Sequence, residues 1–201
     1  MIKQFKVGAL STNCYIIYDN NECIVIDPGY PDDKISDFID DNELKIKFIY
    51  LTHCHFDHIL GAKWLQDKYN VDICCLDKEF NNINDENVNL SLQMLGKKVS
   101  FECDKTFFEN DEFDVGNLNF KVIHTPGHTS GGSVLYGNGI LISGDTLFSD
   151  CFGRCDLPTS NISQIIKSIK EKLYILPPET IIYPGHGESC TIGNRMRLEE
   201  I

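Results

Sequence analysis

The stretch that decides the fold is Phe48-Ile49-Tyr50-Leu51-Thr52-His53-Cys54-His55-Phe56-Asp57-His58. Its first four residues are apolar and predict a buried strand, after which three imidazoles and one carboxylate fall within six residues. Neutral imidazoles and a carboxylate packed together need a partner for every lone pair, so the cluster would be costly without a metal. Imidazole nitrogen and carboxylate oxygen suit zinc, and also iron or manganese. The stretch therefore favours a metal site over a strand end that is polar by chance.

Three later turns supply further ligand side chains. They are His128 in Thr-Pro-Gly-His-Thr, Asp145 in Ser-Gly-Asp-Thr and His186 in Tyr-Pro-Gly-His-Gly. Glycine, often with proline, marks a tight turn at the end of a strand. The apolar runs before these turns, at 120–123, 140–142 and 180–183, are predicted as strands. If all four strand ends lie on one edge of the fold, seven ligands converge there.

The ligand pattern resembles that of the metallo-β-lactamase superfamily, and other stretches resemble its glyoxalase II-like members, the hydroxyacylglutathione hydrolases. Those stretches are Ile26-Asp27-Pro28-Gly29, Gly144-Asp145-Thr146-Leu147-Phe148, Gly153-Arg154-x-Asp156-Leu157-Pro158 and Pro184-Gly185-His186-Gly187. The resemblance covers nearly the whole chain. It implies an α/β fold, a four-layer αβ/βα sandwich of two mixed β-sheets with outer helices. We expect this to be a single domain over residues 1–201.

The resemblance also assigns roles to the ligands. It implies that one metal is held by His53, His55 and His128, that a second is held by Asp57, His58 and His186, and that Asp145 bridges both. Two divalent ions are expected, with zinc first and iron or manganese as alternatives. Asp57 would also orient the metal-bridging hydroxide. Asp27 would orient ligands, although a plain turn aspartate is the alternative.

The expected reaction is hydrolysis of a small-molecule thioester by the metal-bridging hydroxide. A thiol leaving group needs little acid assistance because its own pKa is ~8.5, which suits a site without a dedicated general acid. Arg154 is a hypothetical substrate anchor. The chain ends about fifteen residues after His186, where larger glyoxalase II enzymes carry a helical extension that binds glutathione. The short glyoxalase II-like class is therefore expected, with glutathione dependence left open.

Three alternatives remain at this point. A persulfide dioxygenase resembles the same motifs but uses one iron held by two histidines and one aspartate. A lactonase shares all seven ligands. A member that binds metal without catalysis is the third possibility, and it is disfavoured because every ligand position is filled.

Composition restricts the partners and the location. The formal charge of −12 over 201 residues argues against nucleic-acid binding, because phosphate recognition needs a basic surface. No run of ~18 apolar residues predicts a membrane span, and the first residues lack the apolar core of a signal peptide. A cytoplasmic location is therefore expected. In a reducing compartment, most of the nine cysteines are interpreted as small buried apolar residues.

The remaining expectations concern local structure. Helices are predicted over 32–41, 58–69 and 161–173, and a hairpin is predicted across Gly137-Asn138-Gly139. Trp64 and Cys54 are expected in the core, and the neighbours Cys74 and Cys75 on opposite faces of a strand. His124 is expected to pack near the site or support a ligand rather than to bind metal.

Overall fold

Two mixed β-sheets of six strands each form the centre of the described chain, residues 1–197 of a computed structural model. Helices cover the outer face of both sheets, so the predicted four-layer αβ/βα sandwich is confirmed. The last four residues of the domain predicted over 1–201 lie outside the described residues.

The first sheet has the order β1-β2-β3-β4-β5-β6. The first three strands form an antiparallel meander, and β3, β4, β5 and β6 pair in parallel. Their bounds are β1 (Ile2–Val7), β2 (Thr12–Asp19), β3 (Glu22–Ile26), β4 (Lys45–Leu51), β5 (Ile73–Leu76) and β6 (Lys105–Phe107).

The second sheet has the order β12-β11-β10-β9-β8-β7. Only β10 and β11 pair in parallel among its described strands, and the predicted hairpin is the antiparallel pair β9 and β10. The bounds are β7 (Glu112–Val115), β8 (Leu118–His124), β9 (Ser133–Gly137), β10 (Ile140–Gly144), β11 (Ile181–Pro184) and β12 (Cys190–Thr191).

The helices lie between these strands in the chain. They are α1 (Asp33–Asp41), α2 (Phe56–Ile59), α3 (Ala62–Tyr69), a 3-10 turn (Asp77–Glu79) that leads into α4 (Phe80–Ile83), α5 (Ser91–Leu95), α6 (Ile162–Ser168) with a π-helical turn (Ile169–Leu173), and α7 (Ile192–Arg197). Among residues 1–197, every helix is too short or too polar to cross a bilayer.

Strand alternation builds three apolar layers. On β2, Tyr15 and Ile17 face the second sheet, whereas Cys14 and Ile16 face the outer helices. Successive side chains of a strand point to opposite faces, so a strand buried on both sides must be apolar throughout. The neighbours Cys74 and Cys75 divide between the same two layers, as predicted. Trp64 packs against the outer layer, and all nine cysteines are free.

Two predicted helices differ in detail from the structure. The helix expected over 58–69 is divided at Gly61, whose amide donates to the carbonyl of Pro28 at 2.7 Å. A Cβ at Gly61 would lie 2.5 Å from that carbonyl, so the close approach requires glycine. The helix expected over 161–173 begins at Ile162 and widens into a π-turn, where the amide of Tyr174 donates to the carbonyl of Ile169 at 2.9 Å.

The two sheets are tied together at the edge where the ligand-bearing turns lie. The amide of Asn13 donates to the carbonyl of Gly185 at 2.7 Å, and the Tyr15 hydroxyl donates to the carbonyl of Pro184 at 2.7 Å. The amide of Ser133 donates to the carbonyl of Thr52 at 3.0 Å. These bonds join β2 to the turn after β11, and β9 to the end of β4. They fix the strand ends of one sheet against those of the other.

The layer between the sheets should carry much of the stability. Phe120 on β8 is fully buried there, whereas Phe108 is 58% exposed. We expect Phe120→Ala to lower the free energy of unfolding by about 3–5 kcal/mol, because it leaves a cavity between two stiff sheets. Phe108→Ala, the control, should change it by no more than about 0.5 kcal/mol. Urea unfolding followed by circular dichroism measures both, and equal effects would contradict this account of the core.

Candidate metal centre

The end of β4 and the short helix α2 carry the first four ligand side chains. His53, His55 and His58 are almost fully buried, and Asp57 is partly buried. The strand stops at Leu51, and helix α2 begins at Phe56. This change from extended to helical backbone lets the four side chains serve two neighbouring positions.

The first group of donors consists of His53, His55 and His128, whose ligand atoms lie within 4.8 Å of one another. His128 follows β8, and its Nε2 lies 2.9 Å from His55 Nδ1. The rings of His53 and His128 meet edge to face at 4.9 Å between centroids. Three imidazoles therefore surround one point, as sequence analysis expected for the first metal.

The second group consists of Asp57, His58 and His186, whose ligand atoms also lie within 4.8 Å of one another. His186 Nε2 lies 3.1 Å from Asp57 Oδ2 and 3.3 Å from His58 Nε2. His186 comes from the turn after β11, which is held by the bonds between the sheets described above. This is the set expected for the second metal.

Asp145 lies between the two groups. Its Oδ1 is 3.5 Å from His58 Nε2, and its Oδ2 is 3.6 Å from His128 Nε2 and 3.7 Å from His186 Nε2. The parallel pairing of β10 with β11 brings Gly144 opposite Pro184, which places Asp145 beside His186. One carboxylate thus faces histidines of both groups. The structure brings all seven predicted ligands together.

The outer ring nitrogens of the histidines have their own partners. His128 Nδ1 lies 2.9 Å from the carbonyl oxygen of Arg154, and His186 Nδ1 lies 3.2 Å from that of Leu10. A carbonyl oxygen only accepts hydrogen bonds, so each of these Nδ1 atoms carries the proton. The inward Nε2 atoms are then left with lone pairs aimed into the cluster. Such outer partners orient the ligands of metal sites.

Asp27 organises two further histidines. Its carboxylate accepts from the amide and hydroxyl of Thr52 at 2.8 and 2.6 Å, and its Oδ2 lies 3.0 Å from His58 Nδ1. Because the Thr52 hydroxyl proton goes to Asp27, the Thr52 oxygen accepts from His53 Nδ1 at 3.1 Å. Asp27 is buried, with a φ of 49°, a left-handed conformation that aspartate tolerates. It is therefore not a plain turn aspartate.

The cluster fits a divalent metal. Two donor atoms that face the cluster are buried without a hydrogen-bond partner among the described residues, namely His53 Nε2 and Asp145 Oδ1. Buried polar atoms are normally paired, so two unpaired donor atoms within one cluster point to a partner that they share. That partner must accept lone pairs from nitrogen and oxygen, which a proton can do for only one atom at a time. These histidine and aspartate groups can bind metal ions.

The electrostatics of the cluster also suit a cation. Burial lowers the pKa of His53 and of His55, which keeps both rings neutral. Burial likewise disfavours charge on His58, but Asp57, Asp145 and Asp27 outweigh it and raise the pKa of His58 to about 10. Burial raises the pKa of Asp57, but His58 and His186 outweigh it and hold that pKa well below its usual range. The carboxylates thus give the cluster a negative potential that attracts positive charge.

Several supporting residues were missed from the sequence. The Thr12 hydroxyl donates to Asp57 Oδ2 at 2.9 Å, and the buried Glu79 accepts from the amide of Cys54 at 2.8 Å, between His53 and His55. Neither lies in a recognisable motif. Gly185 could have been noticed in the sequence, because it directly precedes His186 in the turn. A Cβ at Gly185 would lie 2.1 Å from Asp145 Oδ1, so this close approach requires glycine.

The other candidate residues lie outside the cluster. His124 is buried, with its Nε2 3.0 Å from the carbonyl of Ser130, and it belongs to neither donor group. Cys54 is fully buried in the core, as expected. The Arg154 side chain is exposed and makes two 2.9 Å hydrogen bonds with Asp156.

A cavity of about 440 Å³ opens over the cluster. Asp57, His128, Asp145 and His186 form its floor, and Arg154 and several apolar side chains also line it. Residues of α5 contribute to its wall. The cavity gives a small molecule access to the cluster.

The comparisons with known proteins agree with this geometry. The chain is 30% identical to hydroxyacylglutathione hydrolase GloC of Haemophilus influenzae, over 98% of this chain and 95% of that protein. Among solved structures, the BLEG-1 B3 metallo-beta-lactamase superposes with a TM-score of 0.92 at 32% identity, covering 98% of this chain and 97% of that one. The di-iron-bound form of TTHA1623 superposes with a TM-score of 0.86 at 28% identity, covering 98% of each chain.

A family model supplies the last observation. The model of the metallo-beta-lactamase superfamily matches residues 7–186, which span the chain from β1 to His186 and include every predicted ligand. The resemblance noted in the sequence is therefore confirmed. The chain belongs to the metallo-beta-lactamase superfamily and is a metallo-hydrolase of that family.

Proposed function

We propose that this protein is a thioester hydrolase of the hydroxyacylglutathione hydrolase type that works with two divalent metal ions, zinc first and iron or manganese as alternatives. The observation that carries the proposal is the position of Asp145 between two complete donor groups. A carboxylate in that position suits a pair of cations, because a bridging anion offsets their repulsion. The similarity to GloC and to a di-iron structure supports the same reading.

The residues have distinct roles in this proposal. His53, His55 and His128 would hold one ion, Asp57, His58 and His186 would hold the other, and Asp145 would serve both. Such ions would supply a water with a pKa of about 7 and would polarise a carbonyl group, which gives a nucleophile at neutral pH. Asp57 is fixed by the Thr12 hydroxyl at 2.9 Å, which lets it orient the attacking water as well as bind metal.

The choice of a thioester follows from the leaving group. Among the described residues that line the cavity, the titratable side chains are the ligands themselves, Cys151 and Arg154. Burial raises the pKa of Cys151, and Arg154 keeps its proton at neutral pH. Neither is suited to protonate a strongly basic leaving group. A thiolate, with a pKa of ~8.5 for its acid, leaves without that help.

Arg154 is proposed as a substrate contact through its side chain, since Arg154 lines the cavity and its guanidinium is exposed to solvent. Its carbonyl oxygen, 2.9 Å from His128 Nδ1, has a separate role in holding a ligand.

The persulfide dioxygenase alternative needs one iron and two histidines with one aspartate. It has the same motifs, so metal content and oxygen uptake distinguish it from a hydrolase.

The proposal is tested by metal content and turnover together. The purified protein should contain about two equivalents of zinc, iron or manganese, and it should hydrolyse acyl thioesters. Removal of the metal with a chelator should abolish turnover, and added metal should restore it. One equivalent of iron with oxygen uptake on a persulfide would instead indicate the dioxygenase. Faster ring opening of lactones than of thioesters would favour the lactonase.

The second metal position is tested at His186. We expect His186→Ala to retain about one equivalent of metal and to lose at least about 100-fold in kcat, because one ion and its share of the reaction are lost. His124→Ala is the matched control, since His124 is a buried histidine outside both donor groups. It should keep two equivalents. Elemental analysis and steady-state kinetics measure the difference, and full metal content in His186→Ala would rule out the assignment.

The role of Asp27 is tested by Asp27→Asn. Asparagine keeps only one acceptor oxygen, so either the Thr52 amide or both His58 Nδ1 and the Thr52 hydroxyl would face the amide donor and lose their acceptor. We expect metal affinity at the second group to fall by about 10–100-fold. Competition with a coloured chelator measures this. Asp37→Asn, an exposed change of equal charge, should have no effect, and equal affinities in the two variants would contradict the role.

A further inference from the structure

The cavity over the metal cluster adjoins a second, smaller cavity of about 100 Å³. Leu10, Phe56 and Asp57 line both cavities, so the smaller one begins at the second donor group. The two cavities share an apolar wall, which we call the apolar groove. It consists of Leu10, Tyr30, Phe56, Leu90, Met94 and Leu95.

The groove leaves large apolar side chains in contact with water. Leu10 is 50% exposed, Tyr30 is 52% exposed and Met94 is 56% exposed. Single exposed apolar residues are ordinary on a protein surface, but a contiguous group beside a reactive centre marks a binding surface. An occupant that covers these side chains would remove the apolar area from water.

One wall of the groove is held in an unfavourable backbone conformation. Leu90 has a φ of 66°, in the left-handed region that residues with a bulky side chain rarely adopt, and its side chain is nevertheless almost buried. The preceding Asn89 holds it there. The Asn89 side chain donates to the carbonyls of Ile83 and Val99 at 2.9 and 2.7 Å, and the amide of Phe56 donates to its carbonyl at 2.8 Å. The groove is therefore built before any ligand arrives.

Charge indicates which part of a substrate fits. No lysine or arginine is among the described residues that line the smaller cavity, and the whole chain carries a formal charge of −12. Arg154 lines only the larger cavity, where Asp156 pairs with it. An anionic group would thus be unsupported in the groove. The uncharged apolar end of a substrate suits the groove, and its polar end suits the side of Arg154.

We propose that the apolar groove binds the acyl chain of an aliphatic acyl thioester, while the polar thiol carrier lies toward Arg154. This inference rests on the proposed function and adds a substrate class to it. The groove then makes the enzyme selective for longer apolar acyl groups over short ones.

The test is a series of thioesters with one neutral thiol, N-acetylcysteamine, and acetyl, butyryl or hexanoyl as the acyl group. With the metal-loaded full-length protein, we expect kcat/KM to rise by about tenfold or more from acetyl to hexanoyl, because each added methylene is removed from water. Calorimetry with the product carboxylates gives a readout without turnover. Hexanoate should bind more tightly than acetate.

Two variants on helix α5 locate the effect. Met94→Gln should lower the ratio of hexanoyl to acetyl kcat/KM by at least about threefold, because it places an amide in the groove. Leu92→Gln is the matched control, since Leu92 is 45% exposed on the same helix and lines neither cavity. It should leave the ratio unchanged. Arg154→Ala should lower kcat/KM by the same factor for every acyl length.

The results distinguish failure of this inference from failure of the proposed function. Equal rates for all three acyl groups would overturn the inference and leave the thioesterase proposal standing. A preference for hexanoyl that Met94→Gln and Leu92→Gln change equally would also overturn it, because the groove would not be its source. If the protein with two metals hydrolyses no member of the series, the proposed function fails and the inference fails with it.

Discussion

The rest of the fold serves one requirement: seven nitrogen and oxygen donors are held close together, and three of the histidines, His53, His55 and His58, are almost fully buried. Ring nitrogens of His55 and His128 lie only 2.9 Å apart. Buried arrangements of this kind are unfavourable unless a cation is shared among the donors. The surrounding fold must therefore hold the donors together. Much of the edge between the sheets serves that purpose.

The two sheets supply the ligands in different ways. The first sheet supplies four ligands from one strand end, and its neighbouring strand supplies Asp27 to orient them. The second sheet supplies three ligands, one from each of three turns. Backbone bonds such as that from Asn13 to Gly185 couple the two sets. Because both sheets are stiff and pack through a buried apolar layer, the ligand positions are set before a metal binds.

The cluster alone does not select a substrate. Many chemistries are compatible with a pair of cations in this family, so selectivity must come from what surrounds them. Here the surroundings are mainly apolar, with Leu90 held in a left-handed conformation against the cavity. The Arg154 guanidinium is already paired with Asp156. The selectivity proposed for this cavity would therefore come from apolar contact more than from charge.

The seven side chains predicted as ligands could be found in the sequence alone, and its resemblance to a known superfamily implied the fold class. Apolar runs, glycine-containing turns and imidazole spacing are local patterns, so they can be read without knowing which strands pair. The division of the helix at Gly61 could not be read in this way, because it comes from contact with the distant carbonyl of Pro28.

Most residues that support the ligands could be identified only from the folded chain. Thr12 meets Asp57 across 45 positions of the chain, and Glu79 meets the amide of Cys54 across 25. The apolar groove likewise joins Leu10 to Met94, two residues that carry no motif. Contacts of this kind arise from packing between separate elements. Sequence spacing contains no trace of them, since a threonine, a glutamate or a leucine has the same local pattern whether or not it faces the site.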